Sequence, residues 1–292
     1  MRDRVDPLIF ERAPWLARPG LHVAAVRALL DWLLGYKRTL ELGHVVADMP
    51  AEAIMDMMSD MLARHLTVEG LENLPESGPA LVVANHPTGI ADGIMLWAAF
   101  RERRRDMFFY ANSDILRVLP QYETMIAPVE WREEKRSRAK TRETMVYTRK
   151  AIEAGRLGVI FPSGRLAKRR GLRLHERPWM ASAAMIARKY DLPVIPLNIR
   201  ARNSVIFYLF DLIHPTLRDI TLFHEMLNKD RQPYHLRLGR PLSPRALPAG
   251  SEEAIEVLRE ATLELGGKGG RTVSLVDATP RPRLLRALAG RT

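Results

Sequence analysis

The sequence contains no cysteine, which excludes disulfides, thiolate nucleophiles and cysteine-ligated zinc sites. Aromatic residues make up only 7% of the chain, and no segment has the aromatic-studded basic pattern of an RNA-binding module. The eight histidines are scattered, with no pair at the helical spacing of zinc ligands. These absences argue against a metal hydrolase and give no support to a nucleic-acid-binding module, so no metal and no nucleic-acid partner are expected.

Long apolar runs are also missing, because no stretch reaches the roughly 18–20 apolar residues that a membrane-spanning helix needs. The nearest candidate, residues 21–36, contains Arg27 and Asp31. It predicts a helix that is buried or lies in a bilayer interface rather than one that crosses it. No secretory signal pattern is visible, so we expect a cytoplasmic protein associated peripherally with the inner face of the membrane.

Acidic residues are in deficit, which gives a formal net charge of +11. Residues 101–173 hold 19 Lys and Arg against 9 Asp and Glu, and so carry nearly all of the excess. A local basic field attracts nucleic acid, anionic bilayer surfaces, phosphate-bearing substrates or acidic carrier proteins. Solubilising charge on helix faces is the plainer interpretation of the same pattern.

The 292 residues are 47% hydrophobic, enough for a sizeable core, and strand-like runs alternate with helical patterns. The alternation predicts an α/β fold with a mixed, largely parallel sheet flanked by helices. We expect an N-terminal helical, membrane-docking segment over residues 1–65, an α/β domain over 66–266 and a basic tail over 267–292. The predicted strands are residues 67–70, 81–84, 107–111, 126–129, 158–161, 194–199, 205–209 and 234–238. The main predicted helices are residues 21–35, one from about residue 50, and residues 93–100, 137–154, 178–190 and 252–265.

A histidine and an aspartate follow the apolar run at residues 80–84, and they are the first candidate site. His86 leaves the predicted strand end and Asp92 comes six residues later. A carboxylate on one ring nitrogen fixes the histidine tautomer and leaves the other nitrogen to take a proton. Taken singly, His86 is equally well explained as a structural imidazole, and Asp92 as an anion in the first turn of a helix.

A second candidate site follows the run at 158–161 and reads Phe161-Pro162-Ser163-Gly164-Arg165, with Lys168 close behind. Guanidinium groups at a strand end suit phosphate oxygens, although a solvated basic loop has the same composition. Ser163 offers a hydrolase alternative, with His86 and Asp92 completing a nucleophilic triad. The segment lacks the Gly-x-Ser-x-Gly elbow that such enzymes use.

Four segments in order resemble the glycerolipid acyltransferase family: Asn85 to Asp92, Ile126 to Arg132, Phe161 to Arg165 and Val194 to Leu197. Two details depart from the usual family pattern. Five residues separate His86 from Asp92 where four are usual, and Ser163 stands where the third block normally has glutamate. The looser spacing and the Arg202-Asn203-Ser204 sequence are similar to the lyso-ornithine-lipid and hemolysin-related branches.

The resemblance implies that His86 is a general base on an acceptor hydroxyl and that Asp92 orients it. It implies an acyl-CoA or acyl-carrier-protein thioester as co-substrate, no bound cofactor, and contact with anionic membrane lipids. The implied acceptor is a lysophospholipid, with 1-acylglycerol-3-phosphate as the first candidate and a lyso-ornithine lipid as the alternative. The alternative function of another class is a basic nucleic-acid or membrane-surface binding module. The implied substrate contacts are Asn85, Thr88, Gly89, Arg132, Phe161, Pro162, Ser163, Gly164, Arg165 and Lys168.

Overall fold

The computed structural model describes residues 1–130, 137–267 and 271–275. Within these ranges a seven-stranded sheet has the order β1-β9-β8-β2-β5-β3-β4, and a three-stranded sheet has the order β10-β7-β6. All neighbouring pairs in the large sheet are parallel except β8 with β9. The strands are β1 Leu66–Glu69, β2 Ala80–Ala84, β3 Met107–Asn112, β4 Ile126–Val129, β5 Leu157–Ile160, β6 Lys168–Arg170, β7 Arg173–His175, β8 Val194–Arg200, β9 Tyr234–Leu238 and β10 Thr272–Ser274.

Strand β2 is the centre of the large sheet, and all five of its residues are buried. Its Val82 pairs with Val159 of β5 on one side and with Ile195 of β8 on the other. A strand buried on both faces reads as a continuous apolar run, which is the pattern that predicted it. The predicted α/β class with a largely parallel sheet is confirmed.

Helices cover both faces of the sheet and create two apolar cores. Alternate residues of β2 divide between them, because Val82 joins the core beneath α4 and α5 while Leu81 and Val83 join the core beneath α8 and α12. The helices are α1 Arg2–Arg12, α2 Leu21–Leu33, α3 Tyr36–Val45, α4 Ala51–Leu62, α5 Ile90–Phe100, α6 Asp114–Val118, α7 Arg138–Glu153, α8 Ser182–Lys189, α9 Val205–Ile213, α10 Pro215–Ile220, α11 Leu222–Leu227 and α12 Ser251–Glu264.

One predicted strand is wrong: residues 205–209 form the first half of helix α9. The β-branched, apolar composition suits a strand, but Ser204 starts a helix by accepting a hydrogen bond from the Phe207 amide at 3.3 Å. The expected helix at 178–190 is also shorter, because α8 begins at Ser182. The basic run after Arg165 forms the hairpin β6–β7, in a segment where no strand was predicted.

The expected helix at residues 21–35 is present as α2, and only Val23 of it is buried. Leu21, Leu29 and Trp32 are exposed, Trp32 to 78%. Among the helices in the described ranges, none has both the length and the apolar character needed to pass through a bilayer. The interfacial position of α2 stays a prediction.

Candidate active site

The loop that carries the histidine begins where β2 ends and is fastened to the neighbouring strand. Asn85 is buried, and its side chain makes two hydrogen bonds with the backbone of Ile199 in β8. Its Oδ1 accepts from the Ile199 amide at 2.7 Å and its Nδ2 donates to the Ile199 carbonyl at 2.9 Å. The amide of Asn85 thus sets the position from which His86 leaves the sheet.

Asp92 lies in the first turn of α5, fully buried, and its two oxygens are surrounded by donors. The amides of Thr88 and Gly89 donate to Oδ2 at 3.0 and 3.1 Å, and the Thr88 hydroxyl donates to Oδ1 at 2.7 Å. Tyr234 of β9 donates its hydroxyl to Oδ1 as well. Asp92 therefore caps the start of the helix and also lies against the histidine side chain.

The protonation state of this carboxylate follows from those contacts. Burial alone raises the pKa of Asp92, but the contact with His86 and the hydrogen bonds from Tyr234 and Thr88 more than offset it and leave the pKa below its usual value. The pKa of the neighbouring Tyr234 hydroxyl changes in the opposite direction. Burial and the charge of Asp92 raise it well above its normal value. At neutral pH the pair is a carboxylate facing a neutral phenol.

His86 lies against this carboxylate, with Nδ1 2.9 Å from Asp92 Oδ2 and the side chain 18% exposed. The contact is close but not linear, since Nδ1 falls outside hydrogen-bond geometry. The ring stacks on Phe161 with 4.2 Å between the ring centroids and 24° between the planes. A carboxylate at Nδ1 favours the tautomer with the proton on that atom, which makes Nε2 the proton acceptor.

A second buried carboxylate lies behind His86 and was missed by the sequence analysis. Glu176 Oε2 accepts a hydrogen bond from the His86 backbone amide at 3.2 Å, and Oε1 accepts from Trp179 Nε1 at 3.0 Å. Burial raises its pKa, while Trp179, the His86 amide and Ser163 act in the opposite sense. Glu176 thus brings an acidic group next to Ser163, the residue that stands where the resembled family has its own glutamate.

We expect Glu176→Gln to lower kcat by about tenfold to a hundredfold, because losing one acceptor shifts the His86 backbone and misplaces the ring. The KM values should change little, since Glu176 contacts the histidine rather than substrate. Steady-state kinetics with thermal unfolding measures both effects. Glu153→Gln, at an exposed glutamate of α7, is the control, and equal kcat values for the two variants would contradict this role.

The second candidate segment lies next to the histidine through Phe161. Pro162 is buried, Gly164 takes the left-handed conformation at φ 60°, and the side chains of Arg165 and Lys168 are exposed. The Ser163 hydroxyl donates to the Arg165 carbonyl at 2.8 Å. The Ser163 proton is therefore directed to a backbone carbonyl, whereas the hydrolase alternative requires it to be directed to His86.

A further cation, Arg177, joins this surface and was also missed by the sequence analysis. Its Nε donates to the Leu166 carbonyl at 2.9 Å. Burial and the nearby charges of Arg165 and Arg218 lower the pKa of Arg177. Neighbouring guanidinium groups are the kind of surface that suits an anion. Arg132, the remaining predicted contact, lies outside the described residues.

On its other side the histidine loop is held by a buried ion pair. Lys229 and Glu225 are almost fully buried, with 3.1 Å between Nζ and Oε2. Lys229 donates to Asn203 Oδ1 at 2.8 Å, and Asn203 Nδ2 donates to the Thr88 carbonyl at 3.4 Å. Within the described ranges, no group of three or more His, Asp or Glu side chains is arranged to hold a metal ion.

The chain is similar in sequence to known acyltransferases. A family model described as Acyltransferase matches residues 65–200. The lyso-glycine lipid O-acyltransferase of Phocaeicola vulgatus is 26% identical over 198 residues, which are 64% of this chain and 68% of that protein. The protein of the same name from Bacteroides thetaiotaomicron is 25% identical over 158 residues, 53% of this chain and 55% of the relative. The crystal structure of the 1-acyl-sn-glycerophosphate (LPA) acyltransferase PlsC from Thermotoga maritima superposes with a TM-score of 0.49 and 14% identity, covering 84% of this chain and 97% of that one.

Proposed function

Because this chain belongs to the acyltransferase family and is an acyltransferase, we propose that it moves a fatty acyl group from a thioester to a lysolipid hydroxyl. The donor is an acyl-CoA or an acyl-carrier protein, used as co-substrate with no bound cofactor. The observation that carries the proposal is the His86–Asp92 pair, in which a fully buried carboxylate lies 2.9 Å from the inner ring nitrogen of a partly exposed histidine.

In the proposed reaction, His86 Nε2 takes the proton of the acceptor hydroxyl as its oxygen attacks the thioester carbonyl carbon. Asp92 stabilises the imidazolium that forms. When the tetrahedral intermediate collapses, the C–S bond breaks, the new ester remains, and the thiolate takes the proton from Nε2 to leave as a thiol. Atoms and charge balance without another reactant, since the thioester supplies the driving force.

The acceptor is proposed to carry an anionic head group bound by Arg165, Lys168 and Arg177. Its phosphate would make bidentate hydrogen bonds with a guanidinium, as would a carboxylate. 1-Acylglycerol-3-phosphate is the first candidate. A lyso-amino-acid lipid, including the lyso-ornithine alternative, is the second candidate, because the two relatives above are named for a lyso-glycine lipid.

We expect Arg177→Gln to raise the KM for the acceptor about tenfold, because a charge-assisted hydrogen bond to the head group is lost. The KM for the acyl donor and kcat should stay near the wild-type values. Steady-state kinetics over acceptor concentration measures the change. Arg64→Gln, at an exposed arginine outside the site, is the control, and equal acceptor KM values for the two variants would remove Arg177 from the binding site.

The test of the function is acyl transfer by the full chain with each donor type and a panel of acceptors. The panel contains lysophosphatidate, lyso-glycine lipid and lyso-ornithine lipid, with His86→Ala as the blank. Product formation with one acceptor in the panel identifies the head group. No product with any combination, from folded enzyme, would refute the proposal.

The exposed side of α2 supports peripheral attachment at the inner face of the membrane. Leu21, Leu29 and Trp32 project from it. Lys37 follows two residues after Gly35, placing positive charge next to the apolar side chains. Apolar side chains flanked by cations partition into the interface of an anionic bilayer. The acceptor would then reach the site without crossing water.

A further inference from the structure

Helix α9 has an apolar surface that faces away from the protein. Val205, Leu209, Leu212 and Ile213 are 52–73% exposed, and their spacing of four, three and one residues places them on one side of the helix. The opposite side, with Phe207 and Tyr208, is buried. We call the four exposed residues the α9 stripe. A stripe of large apolar residues exposed beside a site is typical of a surface that meets an apolar partner.

The hairpin β6–β7, which packs on α9, carries exposed cations at its turn. Arg170 and Arg173 are exposed at the ends of its two strands. Between them, Gly171 turns the chain at φ 58° and Leu172 projects from the tip with 66% exposure. An exposed leucine between two arginines combines apolar and cationic character in one short turn.

The hairpin and α9 form one unit. Leu174 of β7 shares a small core with Phe207 and Tyr208 of α9. Arg169 of β6 lies 3.9 Å from Asp211 of α9, measured between Nε and Oδ2. Packing and charge therefore hold the arginines of the turn and the α9 stripe in a fixed relation to each other.

This unit is bonded directly to the loop that carries His86. The Ala167 amide, at the start of the hairpin, donates to the His86 carbonyl at 2.9 Å. Asn203, just before α9, donates to the Thr88 carbonyl at 3.4 Å. A partner that covers the α9 stripe and the hairpin turn would thus contact a unit that is bonded to the histidine loop.

We propose that the α9 stripe and the turn of β6–β7 form a second membrane-docking surface, and that its partner is an anionic phospholipid bilayer. The inference goes beyond the N-terminal α2 attachment and rests on the proposed function only for the lipid nature of the acceptor. Large apolar side chains beside arginines fit the boundary between acyl chains and anionic head groups. An acidic carrier protein would pair with the arginines but leaves the α9 stripe uncovered.

The test is sedimentation of the full chain with vesicles of phosphatidylcholine alone and with phosphatidylglycerol added. We expect Leu209→Gln/Leu212→Gln to weaken partition onto both vesicles by about tenfold, because two apolar side chains no longer enter the interface. Arg170→Gln should weaken it about fivefold on the anionic vesicles alone, an effect that disappears at high salt. Leu29→Gln/Trp32→Gln measures the α2 contribution in the same assay.

Met185→Gln/Val257→Gln is the matched control, since both residues are exposed on α8 and α12. It should bind vesicles as wild type does. Binding by Leu209→Gln/Leu212→Gln equal to that of this control would overturn the proposal. If Leu209→Gln/Leu212→Gln left vesicle binding unchanged but abolished binding to purified acyl-carrier protein, the proposal would also be overturned. The surface would then be a binding site for the carrier protein. Because binding is measured without turnover, the outcome is independent of whether acyl transfer is detected.

Discussion

Replacing His86 with alanine is expected to lower kcat/KM for acyl transfer by about a thousandfold, within the range that general-base catalysis contributes. The variant should fold, because the contacts that hold this position are made by its backbone. Its amide donates to Glu176 at 3.2 Å and its carbonyl accepts from Ala167 at 2.9 Å, and alanine keeps both. Transfer from labelled thioester, with circular dichroism to confirm the fold, measures the loss.

His65→Ala is the matched control, since the side chain of this histidine is exposed and has no part in the proposed reaction. It should retain wild-type turnover. A folded His86→Ala variant with turnover comparable to that of His65→Ala would show that another group removes the hydroxyl proton, and the proposed mechanism would fail.

Asp92→Asn is expected to be nearly as damaging, with kcat reduced about a hundredfold or more. The substitution keeps the shape of the side chain but replaces one carboxylate oxygen by the NH2 group of an amide. Both oxygens now accept hydrogen bonds, Oδ2 from the amides of Thr88 and Gly89 and Oδ1 from Thr88 and Tyr234. Either the two amides or the two hydroxyls would then face the new NH2 group, which donates and cannot accept. We therefore expect kcat and thermal stability to fall together.

Tyr234→Phe separates the two effects, because it removes one donor to Asp92 and keeps the charge. We expect it to retain more activity than Asp92→Asn under identical conditions. If Asp92→Asn instead turned over substrate as fast as wild type, the carboxylate would be a helix cap without a part in catalysis.

The lowered pKa of Asp92 gives the direction of a pH effect on stability. A carboxyl group whose pKa is lower in the folded chain than its ordinary 3.8 binds protons more readily when unfolded. Its contribution is therefore complete above that ordinary value and is lost as the pH falls through the folded-state pKa. Urea unfolding across this acidic range should show the free-energy gap between wild type and Asp92→Asn narrowing as the pH decreases.

The parts of the fold that the sequence predicts are those where local pattern and tertiary position agree. β2 is a run of five apolar residues and is buried on both faces, so composition and environment coincide. The prediction of the His86 and Asp92 pair has the same basis, because both follow one strand end and are only six residues apart. The catalytic roles of these residues stay predictions until the variants are measured.

The residues that were missed reach the site from distant segments. Tyr234 comes from β9 and Glu176 from the chain after β7, and neither position has a local pattern that marks it as polar and functional. Helix α9 was predicted as a strand because its composition is apolar and partly β-branched, while its N-cap is a single serine. Spatial convergence of this kind depends on topology, which one sequence read locally does not specify.

Asp92 contacts both the histidine and the backbone at the start of α5, which has a consequence for engineering. The side chain that lies against the imidazole also accepts hydrogen bonds from the amides of Thr88 and Gly89 just before α5, so a library randomised at this codon selects for a folded loop and for turnover at once. A campaign to change the reactivity of the base therefore does better to vary Tyr234, which contacts the same carboxylate but leaves the helix start intact.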